Sequence, residues 1–231
     1  MKRLLCLLVL IAIGVALDKG VWAIPRQWSP FEPLRIQDPV TPVTGWKLTW
    51  LKRDRQGCLA VLDTLPDSAL EYQALVDYVP TPSCPLTNVV RLNASGVQFN
   101  RSFVATCPLA LGWLMFEYHT LQPAARNLLG SPVSRVEHYG SFACRNIYGR
   151  ENARRSAHAS AEALDVAAFT LADGRRISVL DDWQEEGKTG QFLHEIQRGA
   201  CRRFATVLGP EYNAAHANHF HLAVGGFSLC R

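Results

Sequence analysis

The chain reads as an α+β protein: a small antiparallel sheet with flanking helices, placed after an apolar N-terminal membrane helix. Three observations carry that expectation. Short apolar stretches alternate with turn signals, as hairpins require. Two longer segments repeat apolar residues at helical spacing. No regular strand–helix–strand rhythm joins them, so a parallel doubly wound sheet is not expected.

The elements follow in chain order. Lys2 and Arg3 precede an apolar run from Leu4 to Leu17. The run is short for a membrane span, which needs about 20 apolar residues, and suits a signal-peptide core. Val21-Trp22-Ala23 offers a cleavage site. The alternative is an uncleaved anchor over residues 4–24, with Lys19 snorkelling and Trp22 at the interface. Both readings of residues 1–24 send the remaining chain across the membrane. Residues 25–55 are expected to be an extended linker, because Pro25, Pro30, Pro33, Pro39 and Pro42 break helices. A single domain then spans residues 56–231.

Within it, Gln56 to Leu65 is helix-compatible. Val89 to Phe99 reads as a strand or hairpin about Asn93-Ala-Ser-Gly96. Thr106 to Leu121 is the first strong helix; Pro123 interrupts it, and Gly130 ends its continuation. Val133 to Tyr139 reads as a strand. Val166–Phe169 and Arg176–Leu180 flank the Asp173-Gly174 hairpin turn. From Thr189 a helix is expected to run to about Leu208, with Phe192, Leu193, Ile196, Ala200, Phe204 and Val207 on one face. Gly209-Pro210 stops it, and His219 to Val224 forms the terminal strand.

Composition narrows the class. At 231 residues and 48% hydrophobic content, the chain supports one sizeable core. A net charge of +4, spread over 19% charged residues, is too diffuse to indicate nucleic acid as a partner. Cys6 lies in the apolar run. The even set Cys58, Cys84, Cys107, Cys144, Cys201 and Cys230 fits three disulfides in an oxidising compartment, with their pairing open.

The chemistry concentrates in histidines. His216, His219 and His221 fall within His-Ala-Asn-His-Phe-His. His158 stands seven residues before Asp165. Two histidines and one carboxylate form a catalytic zinc set that leaves a position for water. On one helix, His158 and Asp165 would be separated by roughly 10 Å of rise. Zinc ligands lie about 2 Å from the ion. The segment must therefore bend, with His158 on a loop and Asp165 entering a strand. His219 and His221 are two apart, so on a strand they share one face. One can hold a metal while the other meets a substrate. His119, His138 and His194 fit no motif and read as structural or surface groups.

The stretch from about Cys84 to Arg231 resembles the bacterial extensin-like C-terminal family. The matching segments are Gly-Ser-Phe-Ala-Cys-Arg-Asn (140–146), Ser-Ala-His-Ala-Ser-Ala-Glu-Ala-Leu-Asp-Val (156–166), Ala-Asp-Gly-Arg (172–175), Ala-Cys-Arg-Arg-Phe (200–204), Val-Leu-Gly-Pro-Glu-Tyr-Asn (207–213), His-Ala-Asn-His-Phe-His-Leu (216–222) and the closing Cys230-Arg231. The metal motif is similar to that of LAS-type D-Ala-D-Ala metallopeptidases, which include carboxypeptidases and penicillin-insensitive murein endopeptidases. The resemblance implies their hedgehog-like fold.

It also implies one zinc ion bound by His158, Asp165 and His221. His219 would be the general base or transition-state stabiliser, His216 its helper, and Arg145 a substrate or oxyanion contact. Ser156 would support the site from behind. Two positions depart from the pattern: Ala161 replaces a glycine, and Ala223 replaces an aspartate. The implied function is a periplasmic zinc peptidase acting on peptidoglycan stem peptides or cross-links, held at the inner membrane through residues 4–24. The alternative is a non-catalytic envelope module that keeps the fold and binds wall peptide.

Overall fold

Alternating apolar residues over 89–106 build the first half of a large sheet, and the helix that follows decides its topology. A computed structural model describes residues 24–66, 68–226 and 228–231, together with Gly14. The strands are β1 (Glu71–Ala74), β2 (Tyr78–Thr81), β3 (Cys84–Leu86), β4 (Val89–Ala94), β5 (Gln98–Thr106), β6 (Val133–Gly140), β7 (Ala163–Leu171), β8 (Arg176–Ser178), β9 (Thr206–Leu208), β10 (Phe220–Ala223) and β11 (Leu229–Cys230). The main sheet runs β1-β4-β5-β6-β7-β10-β9-β11, with β8 paired to β7. β2 and β3 form a separate ribbon.

The mixed α+β class is as expected; the size and pairing of the sheet are not. It has nine strands. β5–β6 and β9–β11 pair in parallel, the others antiparallel. The parallel pair β5–β6 arises because a long helix leads directly from one strand to the next, a crossover that returns the chain in the same direction.

That helix is α3 (Cys107–Phe116), preceded by α1 (Pro42–Leu51) and α2 (Arg55–Leu62). Every residue of α3 is buried, so it packs as a central rather than an amphipathic helix. Pro123 does not interrupt it as expected. The helix widens into π-turns at Glu117–Leu121 and Ala125–Leu129, which tolerate the proline ring and its missing N–H. Gly130, at φ 74°, supplies the left-handed stop.

The expectation of an extended linker over 25–55 is corrected. Pro42 begins α1 at a position where its missing N–H has no partner to lose. Thr44 Oγ1 accepts from the Thr41 N–H at 3.1 Å and closes that helix start. The C-terminal helix, α4 (Lys188–Cys201), also ends earlier than expected. Phe192, Leu193, Ile196 and Ala200 are buried on its inner face. Val207 and Leu208 instead enter the sheet as β9, and Cys201 is tied to Cys230. The final histidine strand is therefore interior, flanked by β7 and β9.

Three disulfides form: Cys58–Cys107, Cys84–Cys144 and Cys201–Cys230. They tie α2 to α3, β3 to the loop before the metal motif, and α4 to the last strand. Among the described residues no helix is long and apolar enough to cross a membrane. The expected membrane segment falls almost wholly on residues 1–23, outside the described residues apart from Gly14.

Candidate metal centre

His221 on β10 pairs directly with Asp165 on β7. Such cross-strand partners project to the same face of the sheet. His158 reaches them from a 3-10 turn, Ala157–Ser160, whose start is capped by Ser156 Oγ accepting from the His158 N–H. The turn closes at Ala161 with φ 53° and ψ 37°. That left-handed conformation favours glycine, and alanine adopts it here at a modest cost. The buried Ala161 N–H and C=O are both used, by His158 O at 3.2 Å and by the Thr106 N–H at 3.0 Å. The turn therefore accommodates alanine and delivers His158 on a loop, with Asp165 in the strand.

The three ligand atoms converge. His221 Nδ1 lies 2.8 Å from Asp165 Oδ1, and His158 Nε2 lies 3.1 Å from His221 Nδ1. His158 Nε2 is also 3.2 Å from Asp165 Oδ1 and 3.1 Å from Oδ2. His158, Asp165 and His221 form the one cluster of metal-ligating groups among the described residues.

The donor chemistry fits a cation. His158 Nδ1 lies 3.1 Å from the Ser141 carbonyl, which only accepts, so Nδ1 carries a proton and donates it there. Nε2 is then the nitrogen left to face the Asp165 carboxylate and His221, as a donor when protonated and as a ligand lone pair when a metal takes the proton's place. Electron-rich atoms packed this way need an electrophile between them: shared protons in the metal-free protein, or a metal ion. Ligands about 2 Å from one tetrahedral zinc stand roughly 3.3 Å apart, close to these separations. Burial alone would raise the Asp165 pKa. Without a cation, the hydrogen bonds and charge that His158 and His221 supply when they carry the extra proton outweigh it and hold the carboxyl well below the usual carboxylate range.

His219 and His216 flank this triad. His219 Nε2 is 3.5 Å from Asp165 Oδ1, while its Nδ1 is held 2.8 Å from Asn218 Oδ1. Burial lowers its pKa, so the ring is neutral near pH 7. His216 lies with its ring centroid 5.2 Å from that of His219. Burial, aided by His219 and His221, pushes it down to about 4.

Asn213 fixes the His216 ring. Its Oδ1 accepts from the Ala215 N–H at 3.1 Å and from His216 Nδ1 at 2.8 Å, and its Nδ2 donates to Tyr148 Oη at 2.8 Å. His216 therefore keeps Nε2 unprotonated. Exposed Tyr139 stands edge-on to His219, and exposed Tyr148 and Tyr212 edge-on to His216, forming an aromatic rim.

Arg145 lies exposed on the loop after Cys144, and its carbonyl accepts from the Ser156 N–H at 3.1 Å. Its side chain makes no hydrogen bond or ion pair among the described residues. Ala223 is buried on β10, two residues from His221 and on the same face of the strand. The remaining histidines have structural contacts: His119 to Ile36 O, His138 to Arg101 O and His194 against the Trp183 ring.

Sequence reading missed Ser141 and Asn213. Ser141 acts through its backbone carbonyl, which no residue type advertises. Asn213 carries a readable signal, since an asparagine before a short helical turn caps it through its side chain.

A partly buried two-histidine, one-carboxylate cluster, at the junction of a mixed sheet and a 3-10 turn, defines a candidate metal-binding protein. A family model described as Extensin-like protein C-terminus matches residues 56–231, and the chain belongs to that family. No curated protein and no solved structure gives a significant match.

Proposed function

We propose that this chain is a zinc-dependent peptidase of the bacterial envelope, acting on peptidoglycan stem peptides or cross-links. The proposal includes a relation to the LAS-type D-Ala-D-Ala metallopeptidases, whose motif its His158, Asp165, His216, His219 and His221 resemble. The convergence of His158 Nε2, Asp165 and His221 Nδ1 carries this reading. His158, Asp165 and His221 would hold one ion. A zinc ion at such a site polarises a carbonyl and lowers the pKa of water to about 7.

The chain's own groups divide the remaining work. Asp165 stays ionised and balances the cation. His219, neutral and hydrogen-bonded through Nδ1, offers Nε2 as base; it takes a proton from the attacking water and returns it to the leaving amine. His216 keeps an unprotonated Nε2 beside it. The tyrosine rim packs against the peptide and thins the water over the site, and Arg145 pairs with a substrate carboxylate. The protein would work on the periplasmic side, anchored through residues 4–24.

Metal analysis of the purified protein and a muropeptide digest test this together. Near-stoichiometric zinc and cleavage of D-Ala- or diaminopimelate-containing peptides are expected. Zinc content without any such cleavage refutes the peptidase; absence of both leaves a wall-binding module.

A further inference from the structure

Residues 24–50 carry an unusual density of exposed apolar side chains. Phe31 is 93% exposed, Trp50 65%, Trp46 53%, Trp28 51% and Ile24 50%. The Trp46 and Trp50 rings stack at 6.1 Å on one face of α1. With Phe31 and Leu34 they line a surface groove of about 490 Å³. Soluble surfaces seldom gather large aromatics in this way; such a patch marks an interaction site. Arg35 and Arg53 are exposed on the segments that flank it.

We propose that this face is a membrane-docking surface, seated at the headgroup level of an anionic bilayer. Three observations select lipid over another occupant. The patch begins at Ile24, seven residues after the end of an apolar run over residues 4–17. Its large members are mostly tryptophan, the residue that favours the interface because its ring is apolar and its N–H polar. The flanking arginines match anionic headgroups. α1 would then lie along the surface and fix how the domain stands on the membrane, beyond what a flexible tether sets. The inference rests on the reading that residues 4–24 engage a bilayer.

The test uses the full chain carrying Trp22→Phe, in vesicles of phosphatidylethanolamine and phosphatidylglycerol. Trp113 and Trp183 are buried and serve as internal references. Replacing the lipid with its brominated-chain form should lower tryptophan emission roughly twofold, as expected for indoles at the membrane interface. Trp46→Ser with Trp50→Ser should abolish most of that quenching while the reference emission persists. Flotation separates the two readings. A chain that floats but is not quenched overturns the docking surface and leaves the anchor standing. A chain that does not float overturns both. Blue-shifted emission that rises with protein concentration and ignores bromine also overturns it, in favour of self-association through this face.

Discussion

His158 Nε2 stands 3.1 Å from His221 Nδ1, although 63 residues separate them in the chain. Asp165 lies against both nitrogens, at 3.2 and 2.8 Å. Ser141 holds the far nitrogen of His158 and so decides which lone pair meets the carboxylate.

Removing His158 should empty the site. For His158→Ala, atomic emission is expected to show zinc affinity falling by more than the roughly 10–100-fold that loss of an orienting partner costs. In the metal-free protein the same change leaves the Asp165 charge buried without one partner, a loss on the order of 3 kcal/mol. Unchanged zinc content would remove His158 from the ligand set.

Asn213→Ala should disturb His216 while sparing the metal. We expect catalysis to drop about tenfold with zinc content unchanged, the scale seen when an orienting partner of a site residue is lost. Nitrogen chemical shifts read the tautomer directly. A His216 ring that stays protonated at Nδ1 in the variant contradicts this role for Asn213.

The metal-free protein should lose stability on both sides of mid-range pH. His216 titrates at about 4 when folded, against about 6.5 when unfolded, so its contribution is complete above the higher value and lost as pH falls towards the lower. Glu117 behaves oppositely. Burial raises it to about 7 despite the hydrogen bond from Ser95, so its contribution is complete below about 4.3 and lost as pH rises through 7. Glu117→Gln should therefore raise stability above pH 7 by on the order of 3–4 kcal/mol and change little at pH 4. Melting temperatures across that range check it; an identical shift at both ends counts against the assignment.

Ala161 probes the turn that carries His158. In Ala161→Gly, relief of the left-handed strain, about 1 kcal/mol, opposes the added freedom of the unfolded chain, so denaturant unfolding should move by under about 1 kcal/mol. Ala161→Val should cost several times more, because a branched side chain resists φ 53° and the site is fully buried. Equal effects from the two changes would mean that backbone conformation does not matter here.

Opening the Cys201–Cys230 link should loosen the strands beside His221. Cys201→Ala with Cys230→Ala is expected to cost about 2–4 kcal/mol. Faster amide exchange should appear first in β9 and β11, which flank the closure.

The local chemistry of this protein was legible in its residues. The bend between His158 and Asp165 follows from zinc-ligand distances against helical rise. The hairpin at Gly174 and the stop at Gly130 follow from backbone preferences that act within a few residues. Even cysteine usage announced disulfides. The rest depended on contacts distant in sequence. Pro42 and Pro123 carried breaker signals that position within a helix and π-widening overrode. Val207 and Leu208 continued a helical stripe, yet pairing with β10 turned them into strand. The wide sheet rests on the β5–β6 crossover, and the cysteine partners on which strands became neighbours. Ser141, acting through its carbonyl, and the facing register of His221 and Asp165 arose only once the chain had folded. Residue type determines what a side chain can do within its own turn; which lone pair faces which carboxylate is decided by packing, because those distances are set by elements far apart in sequence.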